Sequence, residues 1–283
     1  MTRKFIMIAS SKGGVGKSTV ALGITAALAK RGHKVLIADL DFGNACLDML
    51  LGVQDSVICT VQDVAAYRAS CEKALLKMKI SQSTAVKKKK APAQPVGEVW
   101  LLPSNSGGVE CIPSYGGEDI FFDTEAVTDA LKSSADFVGA DYVIIDTGAG
   151  VNSAVNAAAS IADTALIVTG QMPVALRSAE ATASRLSELG VKDIRLVINS
   201  FDAEGVIDRA RKGVISVIDR SRSPLFGVIP YDYRLMLSHE RLLRRGEDSE
   251  LAFANIARRI EGENVPLFSG IKKLRKLKNK ICL

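Results

Sequence analysis

Nine residues near the start of the chain can hold a phosphate. Ser11-Lys12-Gly13-Gly14-Val15-Gly16-Lys17-Ser18-Thr19 follows an apolar run and opens a helical pattern, the context that a phosphate-binding loop requires. The glycines let successive backbone N–H groups turn inward around an anion, and the helix start adds the positive end of its dipole. Lys17 is placed to reach β- and γ-phosphates, and the Ser18 hydroxyl can ligate Mg²⁺. Gly13, Gly14, Val15, Gly16 and Thr19 complete the expected nucleotide contacts. Where the G-x-x-x-x-G-K-[ST] pattern begins with Gly, this chain has Ser11.

Two acidic segments suit the same chemistry. Asp39-Leu40-Asp41 ends an apolar run. A carboxylate at a strand end beside a phosphate loop can hold magnesium-bound water or polarise an attacking water. Standing alone, such a pair would also read as helix-capping aspartates. Val143-Ile144-Ile145-Asp146 is an apolar strand ending in an acid, followed by Thr147-Gly148-Ala149-Gly150. Asp146 is expected near Mg²⁺ through water, with Gly148 to Gly150 as a switch loop that senses the γ-phosphate.

Short apolar runs and longer helical patterns alternate along the chain and would position these groups. Strands are expected at Phe5–Ser10, Val35–Asp39, Val99–Leu102, Tyr142–Asp146, Ala165–Thr169, Arg195–Asn199 and Leu225–Ile229. Helices are expected at about Lys17–Arg31, Thr124–Ser133, Val151–Ile161, Leu176–Leu189, Gly205–Ile218, Tyr233–Arg245 and Glu250–Glu261. Strands apolar on both faces imply a mostly parallel, doubly wound α/β sheet covered by helices on each side. Residues 79–97 interrupt the pattern with four consecutive lysines and two prolines, and read as a solvated loop.

The segment KGGVGKST resembles the deviant Walker A motif of the MinD/ParA family of P-loop ATPases. The resemblance runs from residue 4 to about 267 and is strongest towards MinD-like, septum-placing members. It implies ATP and Mg²⁺ as cofactors and a nucleotide-sandwich homodimer in which Lys12 reaches the phosphates of the other subunit. It also implies that Asp41 positions the hydrolytic water and that Asp39 supports the magnesium region with Ser18 and Asp146. Asn199, at the end of Leu196-Val197-Ile198-Asn199, falls where the family contacts the base. Gly227-Val228-Ile229-Pro230-Tyr231-Asp232 is similar to the family turn that closes over the base through Pro230 and Asp232. Asn199-Ser200-Phe201-Asp202 lacks the Lys of the GTPase N-K-x-D element, which favours ATP. Gly148 stands where the family often has Pro. Cys46-Leu47-Asp48 and Arg177-Ser178 also depart from the family, on segments that border its dimer and partner surface.

Composition and charge narrow the partners. Hydrophobic residues are 47% and charged residues 24% of 283, which excludes a disordered or fibrous chain. Five cysteines without a close pair exclude a zinc ribbon, a bridging iron–sulfur site and a disulfide framework. No apolar run approaches the ~20 residues that span a bilayer, and the N-terminus does not read as a secretory signal. A cytoplasmic protein is expected. The net charge of +6 is confined to Lys87–Lys90 and to six cations between Lys272 and Lys280; the remaining 27 basic and 31 acidic residues give a body of −4. That distribution argues against nucleic acid as the partner.

Residues 267–283, LFSGIKKLRKLKNKICL, would form a basic amphipathic helix about 21 Å long from Phe268 to Ile281. By itself such a tail could be a nucleic-acid arm, a partner helix or a membrane-surface anchor. With the family resemblance, an anionic membrane is the expected surface, at the inner face of the cell membrane. The sequence thus predicts an ATPase domain over 1–266 and a tail over 267–283, with ATP-driven dimerisation doubling a weak anchor. An activating or effector protein is expected as a further partner. A flagellar-number regulator and a ParA-type DNA-partition ATPase are the alternatives within the same chemistry.

Overall fold

A computed structural model describes residues 2–42, 44–78, 96–105, 123–150, 152–236 and 248–282. Eight strands form one sheet: β1 (Lys4–Ser10), β2 (Val35–Leu40), β3 (Leu76–Met78), β4 (Val99–Leu102), β5 (Tyr142–Ala149), β6 (Thr164–Thr169), β7 (Ile194–Phe201) and β8 (Leu225–Pro230). Their spatial order is β3-β4-β2-β5-β1-β6-β7-β8. Every described pairing is parallel except β3 with β4. All seven expected strands are present. The antiparallel edge strand β3 was not expected, because three partly exposed residues carry no readable period.

The central strands are buried on both faces. All six residues of β2 are buried, as are seven of the eight in β5. Helices must therefore cover both sides. They are α1 (Lys17–Lys30), α2 (Leu47–Leu51), α3 (Val61–Ala65), α4 (Cys71–Ala74), α5 (Thr124–Val138), α6 (Ser153–Ile161), α7 (Pro173–Glu188), α8 (Ala203–Ile207), α9 (Val214–Ser221), α10 (Asp248–Ile260), α11 (Lys272–Lys276) and α12 (Lys278–Ile281). α1 packs with α10, and α10 also lies against β8; α5 packs with α6, and α7 with α9. Gly23 makes the α1–α10 approach possible, since a Cβ there would stand 2.4 Å from the Phe253 ring.

Strand register fixes where the acids emerge. β2 and β5 are neighbours, and Asp39 lies directly opposite Asp146 across their ladder. β1 pairs with the other edge of β5 and runs into the phosphate loop. Three adjacent parallel strands thus deliver the loop, the Asp39–Asp41 turn and Asp146 to one end of the sheet.

Two expectations need correction. The helix expected over Gly205–Ile218 is two helices, α8 and α9, interrupted where Arg209 takes a positive φ of 60°. The tail is not one continuous helix but α11 and α12, joined at Leu277. Its apolar side faces protein: Phe268, Ile271, Leu274 and Ile281 belong to the same buried cluster as the sheet. α12 packs on α8, and the Ile215 N–H donates to the Cys282 carbonyl at 3.0 Å. Residue 266 is therefore no break in packing. A two-sided sequence pattern cannot tell protein from lipid on its apolar side. The Lys87–Lys90 run and most of the helix expected at Tyr233–Arg245 lie outside the described residues. Of the latter, Tyr233–Met236 forms a 3₁₀ turn.

Candidate active site

The phosphate loop leaves β1 at Ser10 and enters α1 at Lys17. Gly14 and Gly16 take positive φ values of 76° and 88°, a backbone that side chains rarely adopt. Gly16 carries a second constraint. A Cβ on it would stand 2.3 Å from Asn199 Nδ2. That nitrogen donates to the Val15 carbonyl at 2.9 Å, and Asn199 is 6% exposed. The sequence-predicted base contact is thus braced against the loop itself. Lys12 is held at its backbone, where the Ser10 hydroxyl accepts from its N–H at 3.1 Å and donates to its carbonyl at 3.2 Å. Lys17 is 8% exposed at the first turn of α1.

Asp146 lies 1% exposed at the end of the β5 apolar run; neither carboxylate oxygen makes a hydrogen bond of normal geometry, although the Ser18 hydroxyl and the Lys17 ammonium lie near enough to act on its charge. Burial, with the Asp39 carboxylate nearby, pushes its pKa up to about 8. An ionised carboxylate so weakly satisfied is costly to bury. This arrangement fits a divalent cation. Two orphaned hard oxygens near the Ser18 hydroxyl form the partial ligand set that Mg²⁺ takes when phosphates and water supply the rest. Among the described residues, no group of three or more His, Cys, Asp or Glu side chains could hold a metal.

Asp39 is equally buried but fully engaged. Its carboxylate accepts from the backbone N–H groups of Asp41 at 2.9 Å and of Cys46 and Leu47 at 3.1 Å each. Burial raises its pKa to about 6 against those three donors. Its bonds make Asp39 the brace of the turn that carries Asp41. Asp41 itself lies close to Gly148. A Cβ on Gly148 would come 2.9 Å from Asp41 Oδ1, so glycine at 148 gives that carboxylate room.

Pro230 ends β8, and the Asp232 carboxylate accepts from the Ser249 hydroxyl at 2.8 Å, next to the start of α10. Sequence reasoning missed Cys46, whose thiol donates to Ser18 Oγ at 3.3 Å. Burial pushes that thiol up to about 11, so it remains an S–H. Only the tertiary turn brings Cys46 to Ser18, and no spacing signals it.

Known proteins share this architecture. The model of the CobQ/CobB/MinD/ParA nucleotide binding domain matches residues 6–243. The septum site-determining protein MinD of Synechocystis is 31% identical, over 98% of this chain and 97% of that protein. The MinC:MinD cell division protein complex of Aquifex aeolicus contains a chain that superposes with a TM-score of 0.77 at 29% identity, over 93% of this chain and 98% of that one. The Pyrococcus horikoshii MinD complexed with Mg-ADP gives 0.68 at 26% identity, covering 96% and 99%. Given a family model that spans the loop, both acidic strands and the Asn199 strand, the chain belongs to the CobQ/CobB/MinD/ParA nucleotide-binding domain family.

Proposed function

We propose that this chain is a MinD-type, Mg²⁺-dependent ATPase that takes part in placing the division septum. It would cycle between a form with its tail docked and an ATP-bound homodimer held on an anionic membrane. The observation that carries the reading is Asp146, buried at the strand end beside the phosphate loop, near Ser18 and Lys17 but with no hydrogen bond of normal geometry. Full-length likeness to MinD proteins supports it.

In this reading Lys17 holds the β- and γ-phosphates. Ser18 and Asp146 hold the cation, which neutralises phosphate charge when bound. Asp41 orients the attacking water, and Asp39 keeps the Asp41 turn in place. Lys12, with its backbone fixed by Ser10, extends its side chain to the second subunit. One hydrogen of Asn199 Nδ2 is engaged by Val15, which leaves Oδ1 as an acceptor suited to the exocyclic amino group of adenine. Pro230 and Asp232 border the base. The Aquifex assembly of MinD with MinC supports an effector protein as a partner here.

The tail supplies the membrane contact. No helix among the described residues is long and apolar enough to cross a membrane; in this reading attachment is peripheral, at the inner face of the cell membrane. Docked, the tail presents Lys272, Arg275, Lys276, Lys278 and Lys280 to solvent, while Ile271, Leu274 and Ile281 are buried. The cationic side can meet anionic headgroups first, at about 1 kcal/mol per cation. Insertion of the apolar side requires undocking, and two tails on one ATP dimer hold more firmly than one.

Sedimentation with anionic liposomes in ATP, in ADP and without nucleotide tests this. Binding should need ATP, and should fall at least several-fold in a K276E/K280E variant, whose changes lie on the exposed side. Binding that ignores the nucleotide, or survives the charge reversal, would sink the membrane reading.

A further inference from the structure

We propose that Thr182 is a positioning residue of the phosphate loop. It ties the Ser11–Lys12 arm to α7 and so sets the root from which Lys12 reaches the second subunit. The inference rests on the ATPase reading and on that role for Lys12.

The hydrogen bonds leave one assignment. The Thr182 hydroxyl donates its single hydrogen to the Ser178 carbonyl, one turn earlier in α7, at 2.7 Å. A hydroxyl then has two acceptor positions left. The Ser11 N–H takes one at 3.0 Å. The Ser11 hydroxyl takes the other at 2.6 Å, and must be the donor, because Thr182 has no second hydrogen to give. Thr182 is 6% exposed while Ser11 is exposed, so the bonds are part-buried, sheltered at the Thr182 end and open to water at the Ser11 end.

Ser11 is the position at which the loop departs from the phosphate-loop pattern. A glycine there would bring no side chain. The serine hydroxyl finds a buried acceptor on a helix 171 residues away in sequence. Its N–H points to α7, so it is not one of the donors available to a phosphate. The next residue, Lys12, is bracketed at N–H and carbonyl by Ser10 Oγ. With Ser11 fixed from one side and Lys12 from the other, the backbone of the signature lysine has little freedom, and its side chain alone is left to extend.

The contact also lies where three parts of the chain meet. A cavity of about 10 Å³, room for one water at most, is lined by Ser11 of the loop, Gly148 and Gly150 of the switch segment, and Thr182 and Arg185 of α7. The Arg185 Nε is buried there without a hydrogen-bond partner. At its other end, α7 begins beside Met172 and Val174, which are 52% and 67% exposed. A displacement of α7 would reach Lys12 through Thr182.

Thr182→Val keeps the branched shape and removes both acceptor positions; Thr182→Ser restores them. Steady-state ATP hydrolysis by the full chain, with ATP-dependent dimerisation by sedimentation velocity, reads the effect. T182V should lower kcat several-fold, up to about tenfold, roughly one hydrogen bond. KM for ATP and ADP affinity should stay within about twofold, and dimerisation should weaken to a similar degree as kcat. T182S should recover most of the loss. Any other pattern overturns the proposal: unchanged kcat, KM and ADP affinity deteriorating in step with kcat, or no rescue by serine. If the unaltered chain hydrolyses no ATP, the ATPase reading itself falls. Amide exchange then decides the pairing alone, with the Ser11 amide protected in the unaltered chain and in T182S but not in T182V. Equal protection in all three would refute it.

Discussion

Asn199 and Val15 are 184 residues apart in sequence and joined by a 2.9 Å hydrogen bond from the Asn199 side chain to the Val15 carbonyl. The strand that carries the predicted base contact therefore also holds the phosphate loop in shape. Asn199→Asp replaces the donor with an oxygen facing a carbonyl. Affinity for both ATP and ADP should fall about tenfold or more, the loss of one sheltered hydrogen bond plus a repulsion. Titration with a fluorescent nucleotide checks this. Equal affinity would mean that the brace is dispensable.

Asp41 has a different signature. It sits on a turn held by three bonds to Asp39, so Asp41→Asn leaves that turn intact. If Asp41 orients water, hydrolysis should fall by about 10²-fold or more, while ATP binding and ATP-dependent dimerisation persist. A phosphate-release assay beside sedimentation velocity separates the two. Loss of binding together with turnover would make Asp41 a structural residue.

Asp146 predicts a pH dependence with a definite sign. Its pKa is raised from the ordinary carboxylate value to about 8 in the nucleotide-free chain. A raised acid stabilises the fold below the unfolded value, near pH 4, and that contribution is lost as pH rises through about 8. Asp146→Asn should therefore raise the Tm of the nucleotide-free protein most above pH 8, with the gain fading towards pH 4. Binding of Mg²⁺ must displace the proton, so the apparent Mg²⁺ affinity of the unaltered chain should strengthen with pH over the same window. Thermal melts across pH, with and without Mg²⁺, provide the check. A gain over the unaltered chain no larger at pH 8.5 than at pH 5 would contradict the buried-proton account.

The docked tail yields a reversible test. Ile215 and Cys282 are backbone hydrogen-bonded neighbours. Oxidising Ile215→Cys against the native Cys282 should hold the tail on the body. ATP-dependent liposome binding should drop at least fivefold in the oxidised form and return on reduction, if about four-fifths or more of the chains are cross-linked. Binding that survives a complete cross-link would show that membrane contact needs no undocking. Truncation after Pro266 is a poorer test, because it strips Phe268, Ile271 and Leu274 from the core.

The strands and the loop were legible because their signals are local. The apolar runs at Val35 and Tyr142 are unbroken, and the spacing of Lys12, Gly16, Lys17 and Ser18 needs no tertiary information. Asp41 and Asp146 were legible as acids at strand ends, and their register across the sheet was not. What escaped were contacts made by distant segments: Asp39 on Cys46 and Leu47, Cys46 on Ser18, and Thr182 on Ser11. The tail shows the same limit. Its two-sided pattern was visible at Ile271, Leu274 and Ile281, but the surface that receives them is assembled from elsewhere in the chain.

The pairing of Asp39 with Asp146 across β2 and β5 bears on how such a site can change in length. A one-residue slip in a strand turns every side chain to the opposite face. One residue added or removed within either strand, ahead of its acid, would turn that acid to the opposite face and bring a neighbouring residue (Ala38 or Leu40, Ile145 or Thr147) into the site. Length variation in natural or engineered descendants should therefore collect after Asp41 and beyond Gly150. β2 and β5 should keep their residue counts fixed relative to each other, even where their individual aliphatic residues are exchanged freely.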